Sequence, residues 1–216
     1  MTTFTTEDRV AAIQQGTAEW HQLRLGKVTA SRVADILAKT KSGASASRGN
    51  YLIELALQRV TKTIEESYTN AAMEWGTQTE PQARVAYEVA TGNFVDQVAF
   101  VNHPTIAGFG CSPDGLVAND GLIEIKCPNS ATHWSYIKAN EPPQKYIIQM
   151  QAQMAVTGAK WCDFVSFDPR MPERSQLLIV RIPRDPEFIL FMEAEINQFL
   201  SEVEVEVNLM EKRNGN

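Results

Sequence analysis

The order of segments predicts an α+β fold of mixed α/β character. Three observations carry this. Helical periodicity dominates as far as Gly92, a strand meander runs from Phe94 to Lys126, and helices then alternate with strands. At 216 residues, with 44% apolar and 21% charged residues, the chain suits one domain with a real core. Residues 1–216 are therefore assigned to a single domain: a helical part at 1–92, a sheet with helices at 93–185, and a closing helix at 186–212.

Residues 5–15 predict a first helix, with Thr6 as N-cap and Gly16 as its stop. Trp20-His-Gln-Leu-Arg24-Leu-Gly follows, then a helix over 29–37 whose inner face is Val33, Ile36 and Leu37. Thr29 or Ser31 stands near its N-terminus, where free N–H groups favour a phosphate, and Arg24 just upstream offers a bidentate grip. The plain alternatives are N-capping for Ser31 and a surface ion pair for Arg24. Residues 39–50 are small, polar and basic, a mobile loop whose Arg48 suits a nucleic-acid backbone, and a helix follows over 50–61.

Asn70 caps the next helix and Gly92 stops it. Pro81 within it predicts a kink, or a restart capped by Thr79; either device fixes the direction of Glu80. Trp75 is expected in the core. Strands are expected over 94–101 and 106–110, a helix over 131–139 capped by Ser130, and another over 145–156. The latter places Gln149 and Gln153 on one face at i,i+4 spacing, suited to a water or a phosphate, or simply solvated. Strands over 161–167 and 176–182 precede a long helix from Pro186.

The stretch that carries chemistry is 110–128. Leu122-Ile-Glu124-Ile-Lys126 alternates like a half-buried strand, Asp114-Gly-Leu-Val-Ala reads as its partner, and Asn119-Asp120-Gly121 punctuates a hairpin. A three-residue loop with Gly121 left-handed pairs Ala118 with Leu122, Leu116 with Glu124 and Asp114 with Lys126. Facing side chains then stand roughly 4.5–5.5 Å apart at Cβ. Asp114, Glu124 and Lys126 converge on one face. Carboxylates are the hard ligands Mg²⁺ prefers, and a nearby lysine positions water or phosphate. The competing reading is an exposed salt-bridged hairpin.

Cys111, Cys127 and Cys162 lack C-x-x-C spacing, so neither a disulfide framework nor a zinc site is indicated. No signal pattern or membrane-spanning run stands out, which points to the cytoplasm. The net charge of −6 is uneven: Arg24, Lys27, Arg32, Lys39, Lys41, Arg48, Arg59 and Lys62 make one basic region, and the C-terminal segment is rich in glutamate. The basic region is expected to offer a directed phosphate-binding surface.

These motifs, in order, resemble the phage lambda exonuclease family within the PD-(D/E)XK nuclease superfamily. The likeness runs from Trp20-His-Gln-Leu-Arg24-Leu-Gly through Thr29-Ala-Ser31, Trp75-Gly-Thr-Gln-Thr-Glu80 and Cys111-Ser-Pro-Asp114-Gly-Leu. It continues in Leu122-Ile-Glu124-Ile-Lys126-Cys-Pro, Gln149-Met-Gln and Asp168-Pro-Arg170-Met.

The resemblance implies a restriction-endonuclease-like core and a phage-type 5′→3′ exonuclease acting on 5′-phosphorylated ends of duplex DNA. Two Mg²⁺ ions per site are implied, with Mn²⁺ tolerated, and mononucleotides as product. Asp114 and Glu124 match metal carboxylates, Ile125 a carbonyl ligand, Lys126 the lysine that orients water, Glu80 the carboxylate near the second metal and Gln149 the active-site glutamine. Arg24, Ser31 and Ser112 match the groups that hold the 5′-phosphate. Met73 matches an apolar residue near strand separation, and core packing accounts for it equally well; Arg32 and Arg48 are added as DNA contacts from the basic region. A homotrimeric ring and a single-strand annealing recombinase as partner are implied too, with the acidic terminal segment as a docking surface. The rivals are an endonuclease of the superfamily and a non-catalytic DNA-binding recombination module.

Overall fold

The computed structural model describes residues 13–40, 43–64 and 70–214. The helix expected over 5–15 lies almost wholly outside the described residues; at 13–16 the chain bends and turns, with Gly16 at φ 87°. The first described helix is α1 (Ala18–Arg24), capped by the Thr17 hydroxyl, which accepts from Trp20 N–H. Strand β1 (Val28–Thr29), a 3₁₀ turn (Ala30–Arg32) and α2 (Val33–Leu37) follow. Neither Thr29 nor Ser31 caps α2, because the 3₁₀ turn intervenes; the Thr29 and Ser31 hydroxyls instead lie 3.3 Å apart.

The expected loop at 39–50 is shorter than its composition suggests. Strands β2 (Lys39–Thr40) and β3 (Gly43–Ala44) pair antiparallel, and α3 (Ala46–Thr61) begins at once, with the Ser45 hydroxyl accepting from Arg48 N–H. Helix α4 (Ala71–Thr91) runs from its Asn70 cap to Gly92 without a restart at Pro81. Proline deletes the bond to the carbonyl of Thr77, but both residues are exposed, so water can take that carbonyl. Thr79 is buried inside the helix and caps nothing.

The strand expected over 94–101 is two short strands in different sheets, β4 (Val95–Asp96) and β5 (Val101–Asn102); β6 (Phe109–Cys111) starts later than expected. The hairpin is β7 (Gly115–Val117) and β8 (Gly121–Lys126). Asn129, rather than Ser130, caps α5 (Ser130–Ala139), and α6 (Gln144–Thr157) carries the glutamines. The chain closes with β9 (Trp161–Phe167), β10 (Leu177–Pro183) and α7 (Pro186–Asn214).

The main sheet has the order β10-β9-β8-β7-β4 and is antiparallel except at β8–β9, where the α5–α6 crossover allows a parallel pair. A small sheet, β1-β6-β5, carries the N-terminal part. Strand alternation divides the core in two. Leu116, Leu122, Cys162 and Phe164 meet Met150 and Met154 of α6 and the inner residues of α2, α3 and α7. Val117, Ile123, Ile125, Val165 and Phe167 meet Ala83 and Tyr87 of α4 on the other face. This is a three-layer arrangement of mixed sheet between helices, and α6 lies over the face that carries Glu124.

The observed register pairs Leu116 with Leu122 and Val117 with Gly121, not Leu116 with Glu124. The loop is Ala118-Asn119-Asp120, and Ala118 rather than Gly121 takes the left-handed conformation (φ 53°). The slip is two residues, and a period-two strand keeps its faces under an even slip. Asp114 therefore still shares a face with Glu124 and Lys126. Glycine is required at 121 for another reason: a Cβ there would stand 2.1 Å from the Trp161 ring.

Candidate active site

Strand β7 begins at Gly115, and Pro113 two residues before it has no N–H to give the ladder. The open edge of β8 is closed by a side chain instead: Asp114 Oδ2 accepts from Ile125 N at 2.6 Å. A strand residue sends its N–H and C=O to the same edge, so the Ile125 carbonyl also faces this side.

Glu124 is 1% exposed and held by three donors. Gln149 Nε2 reaches Oε1 at 2.7 Å, Gln153 Nε2 reaches Oε2 at 2.6 Å, and the Lys126 ammonium contacts Oε1. A buried carboxylate needs such partners, since an unpaired one costs several kcal/mol. The Tyr146 ring lies 5.1 Å from the Lys126 ammonium.

The local field is crowded with negative charge. Burial, then the Glu124 and Glu80 charges, raise Asp114 well above the usual carboxylate range, against Lys126 and the Ile125 N–H. Burial by itself would lower Lys126, but Glu124 and Asp114 outweigh it and leave the lysine firmly protonated. Burial also raises Glu80, opposed by Arg84 and Lys126. Glu80 thus stands within electrostatic range of the cluster, while its Oε1 accepts from Arg84 Nη2 at 2.6 Å.

Asp114 and Glu124 offer hard oxygens toward a cleft of about 160 Å³, and their mutual repulsion is what a divalent cation relieves. No three residues among His, Cys, Asp and Glu already form a cation cage among the described residues. The donor set fits a hard ion bound by two carboxylates and completed by water and substrate oxygens. Glu80 is the next carboxylate in line.

The same cleft is lined at its far end by Trp20, Arg24, Ser31 and Ser112. Trp20 Nε1 donates to Ala99 O at 2.9 Å and to Ser112 Oγ at 3.0 Å, and the Arg24 guanidinium lies 3.9 Å from the Trp20 ring centroid. Burial lowers Arg24, offset in part by Tyr51 and Cys111. No carboxylate pairs with Arg24 among the described residues, and its desolvated guanidinium lines the same cleft as the Ser31 and Ser112 hydroxyls, a donor set suited to an anion. Gln15 Nε2 donates to the carbonyls of Val98 and Pro113, tying down the segment between Ser112 and Asp114.

Other expected contacts lie elsewhere. Arg32 pairs with Asp35 and Glu54, and Arg48 with Glu202 at 2.7 Å. Lys39 stands 4.0 Å from Glu195, and Arg59 contacts Glu204. Four cations of the basic region, Arg32, Lys39, Arg48 and Arg59, are thus paired with carboxylates of α7, α2 and α3, while Lys27 meets the Asn102 side chain at 2.8 Å. On α7 these pairings engage Glu195, Glu202 and Glu204. Met73 is half exposed near the start of α4, away from the cleft lining. Trp75 is not core: it is partly exposed and stacks under the Arg170 guanidinium at 4.1 Å.

Two cleft residues receive no role of their own in the sequence. Trp20 opens the first motif, and its indole bond to Ser112 is what ties it to the pocket. Gln153 shares its face with Gln149, a spacing visible in the sequence, but its burial is visible only in the fold.

The YqaJ-like viral recombinase domain matches residues 19–160. An alkaline exonuclease (LHK-Exo) from Laribacter hongkongensis is 52% identical, with 92% of this chain and 98% of that chain covered at a TM-score of 0.87; it has also been solved in complex with dAMP. A phage-related exonuclease from Haemophilus somnus 129PT is 18% identical over 87% of this chain and 96% of that one, with a TM-score of 0.59, and shares the fold. No curated protein matches the chain.

Proposed function

Because the chain belongs to the YqaJ-like viral recombinase family, with the lambda exonuclease resemblance carried by the same residues, we propose that it is a Mg²⁺-dependent exonuclease. It degrades one strand of duplex DNA from a 5′-phosphorylated end, leaving a 3′ single strand for recombination. One observation carries this reading above the others. A single cleft joins the Asp114–Glu124–Lys126 cluster to Arg24, which has no counter-ion among the described residues, with Ser31 and Ser112. An anion pocket beside a hydrolytic cluster measures from a terminal phosphate, which a site for internal cleavage has no need to do.

Asp114, Glu124 and the Ile125 carbonyl would hold the divalent ions, with Glu80 serving the second. Bound there, such ions lower the pKa of water and offset charge on the phosphate in flight. Lys126, beside Glu124 and Asp114, is placed as a charged donor that positions water or phosphate. Arg24 grips the terminal phosphate, and Ser31 and Ser112 add hydroxyl donors. The 52% identical exonuclease, solved with dAMP, supports mononucleotides as product. The resemblance adds a homotrimeric ring, which would keep the enzyme on its substrate, and an annealing recombinase as partner.

The test is digestion of the same plasmid as a linear duplex and as a covalently closed circle, with Mg²⁺ and with EDTA. Loss of the linear form only, and only with Mg²⁺, is expected. Nicking of the circle favours the endonuclease reading, and no nucleotide release from either form favours a binding module.

A further inference from the structure

The two glutamines that reach Glu124 are not equivalent. Gln149 lies half-buried on the cleft side of α6 and shares Oε1 with the Lys126 ammonium. Gln153, one turn on, is 0% exposed and alone holds Oε2, at 2.6 Å. Its own Oε1 faces the Cys162 thiol of β9 at 3.9 Å, a long and weak contact that nonetheless occupies the far end of the amide. Gln153 Nε2 has no other acceptor among the described residues, although the side chain also borders the cleft.

Oε1 thus shares the half-buried Gln149 and Lys126, and Oε2 is held by the fully buried Gln153 alone. We infer that Gln153 is a positioning residue: it fixes the Glu124 carboxylate so that Oε1 is presented to a divalent cation, while Gln149 is the member that can exchange partners. The inference rests on the cation-binding role proposed above for Asp114 and Glu124. Groups that hydrogen-bond a ligating carboxylate orient it, and their loss typically weakens metal affinity or activity about 10–100-fold.

Removing the amide without changing side-chain volume much, as in Gln153→Met, frees Glu124 to rotate. Cation affinity is read on the DNA-free protein by calorimetric titration with Mg²⁺ and Mn²⁺ and by the shift of its melting temperature with added cation. Wild-type protein is expected to bind, and Gln153→Met to bind about 10–100-fold more weakly. Its nuclease turnover should recover as Mg²⁺ is raised, and its DNA binding in EDTA should match wild type. A merely structural defect would not be rescued by cation. Gln153→Asn, which keeps the amide but falls a methylene short, should behave alike and serves if Gln153→Met does not fold. Wild-type affinity in a folded variant overturns the inference. A wild-type protein that binds no cation overturns instead the reading on which it rests.

Discussion

The Asp114 carboxylate accepts the backbone N–H of Ile125 at 2.6 Å, so the residue that closes the open end of the hairpin is also the one carrying the most disfavoured charge in the cleft. Fold and site meet in that bond. Asparagine can keep it, because an amide oxygen also accepts.

Asp114→Asn should therefore stabilise the cation-free protein while abolishing hydrolysis. The sign follows from the raised pKa. A carboxyl whose folded pKa lies above its unfolded value of 3.8 loses stability as pH rises from 3.8 toward the folded value, and bears the full cost above it. Removing the charge should add about 0.5–2 kcal/mol at neutral pH, or a few degrees in Tm. Melting curves in EDTA check this; a lower Tm for the variant contradicts it. With Mg²⁺ added, wild type should gain stability and the variant should not.

Lys126→Ala should leave DNA binding intact and reduce turnover by about 10²–10⁴-fold, the usual span for a positioned proton-handling or charge-donating group. Filter binding in EDTA and product release in Mg²⁺ separate the two effects. Near-normal turnover would refute the role given to the lysine.

The hairpin shows what the sequence can and cannot fix. Alternation through Leu122–Lys126 placed the charged triad on one face, and that survived an error in the turn because the register slipped by an even number. The turn is set by tertiary packing instead. Gly121 is dictated by the Trp161 ring, a partner 40 residues away in sequence. Helix limits at Asn70 and Gly92 follow local capping chemistry and were legible; the continuity through Pro81 depends on which helix face meets solvent, and was not. Charge clusters misled for a similar reason. The partners of Arg48 and Arg59 sit on α7, where only tertiary packing brings them.

The anion pocket yields a graded prediction. Arg24→Ala removes the desolvated guanidinium and should cut the preference for 5′-phosphate over 5′-hydroxyl ends by at least about 10-fold, from charge-assisted bonds worth about 1.5–3 kcal/mol. Trp20→Phe keeps a ring beneath Arg24 but loses the indole N–H to Ser112 and Ala99, so a fall of about 2–10-fold is expected. Competition between phosphorylated and unphosphorylated duplexes measures both. A preference unchanged in Arg24→Ala removes the pocket from the mechanism.

Asp168 sets an acid limit on stability. It is 0% exposed and accepts from Arg170 Nε at 2.7 Å and Nη2 at 3.1 Å, and the Arg170 guanidinium in turn covers Trp75 of α4, the helix that carries Glu80. Burial pushes its carboxyl up, but the hydrogen bonds from Arg170 and Ser130 prevail and hold it at about 2. With the folded pKa below the unfolded 3.8, its contribution is present above pH 3.8 and fades as pH falls toward 2. Asp168→Asn should cost about 1–3 kcal/mol at neutral pH, with the deficit shrinking across that acid window. A deficit independent of pH would show that packing, and not charge, is at stake.

The most direct test of the central claim is the first product released from a linear duplex with one 5′-phosphorylated, labelled end. In Mg²⁺ the label should leave as a mononucleotide, with the 3′ end of the same strand intact, and EDTA should stop its release. Release of the label as an oligonucleotide, loss of 3′-terminal nucleotides first, or equal release in EDTA would contradict the account.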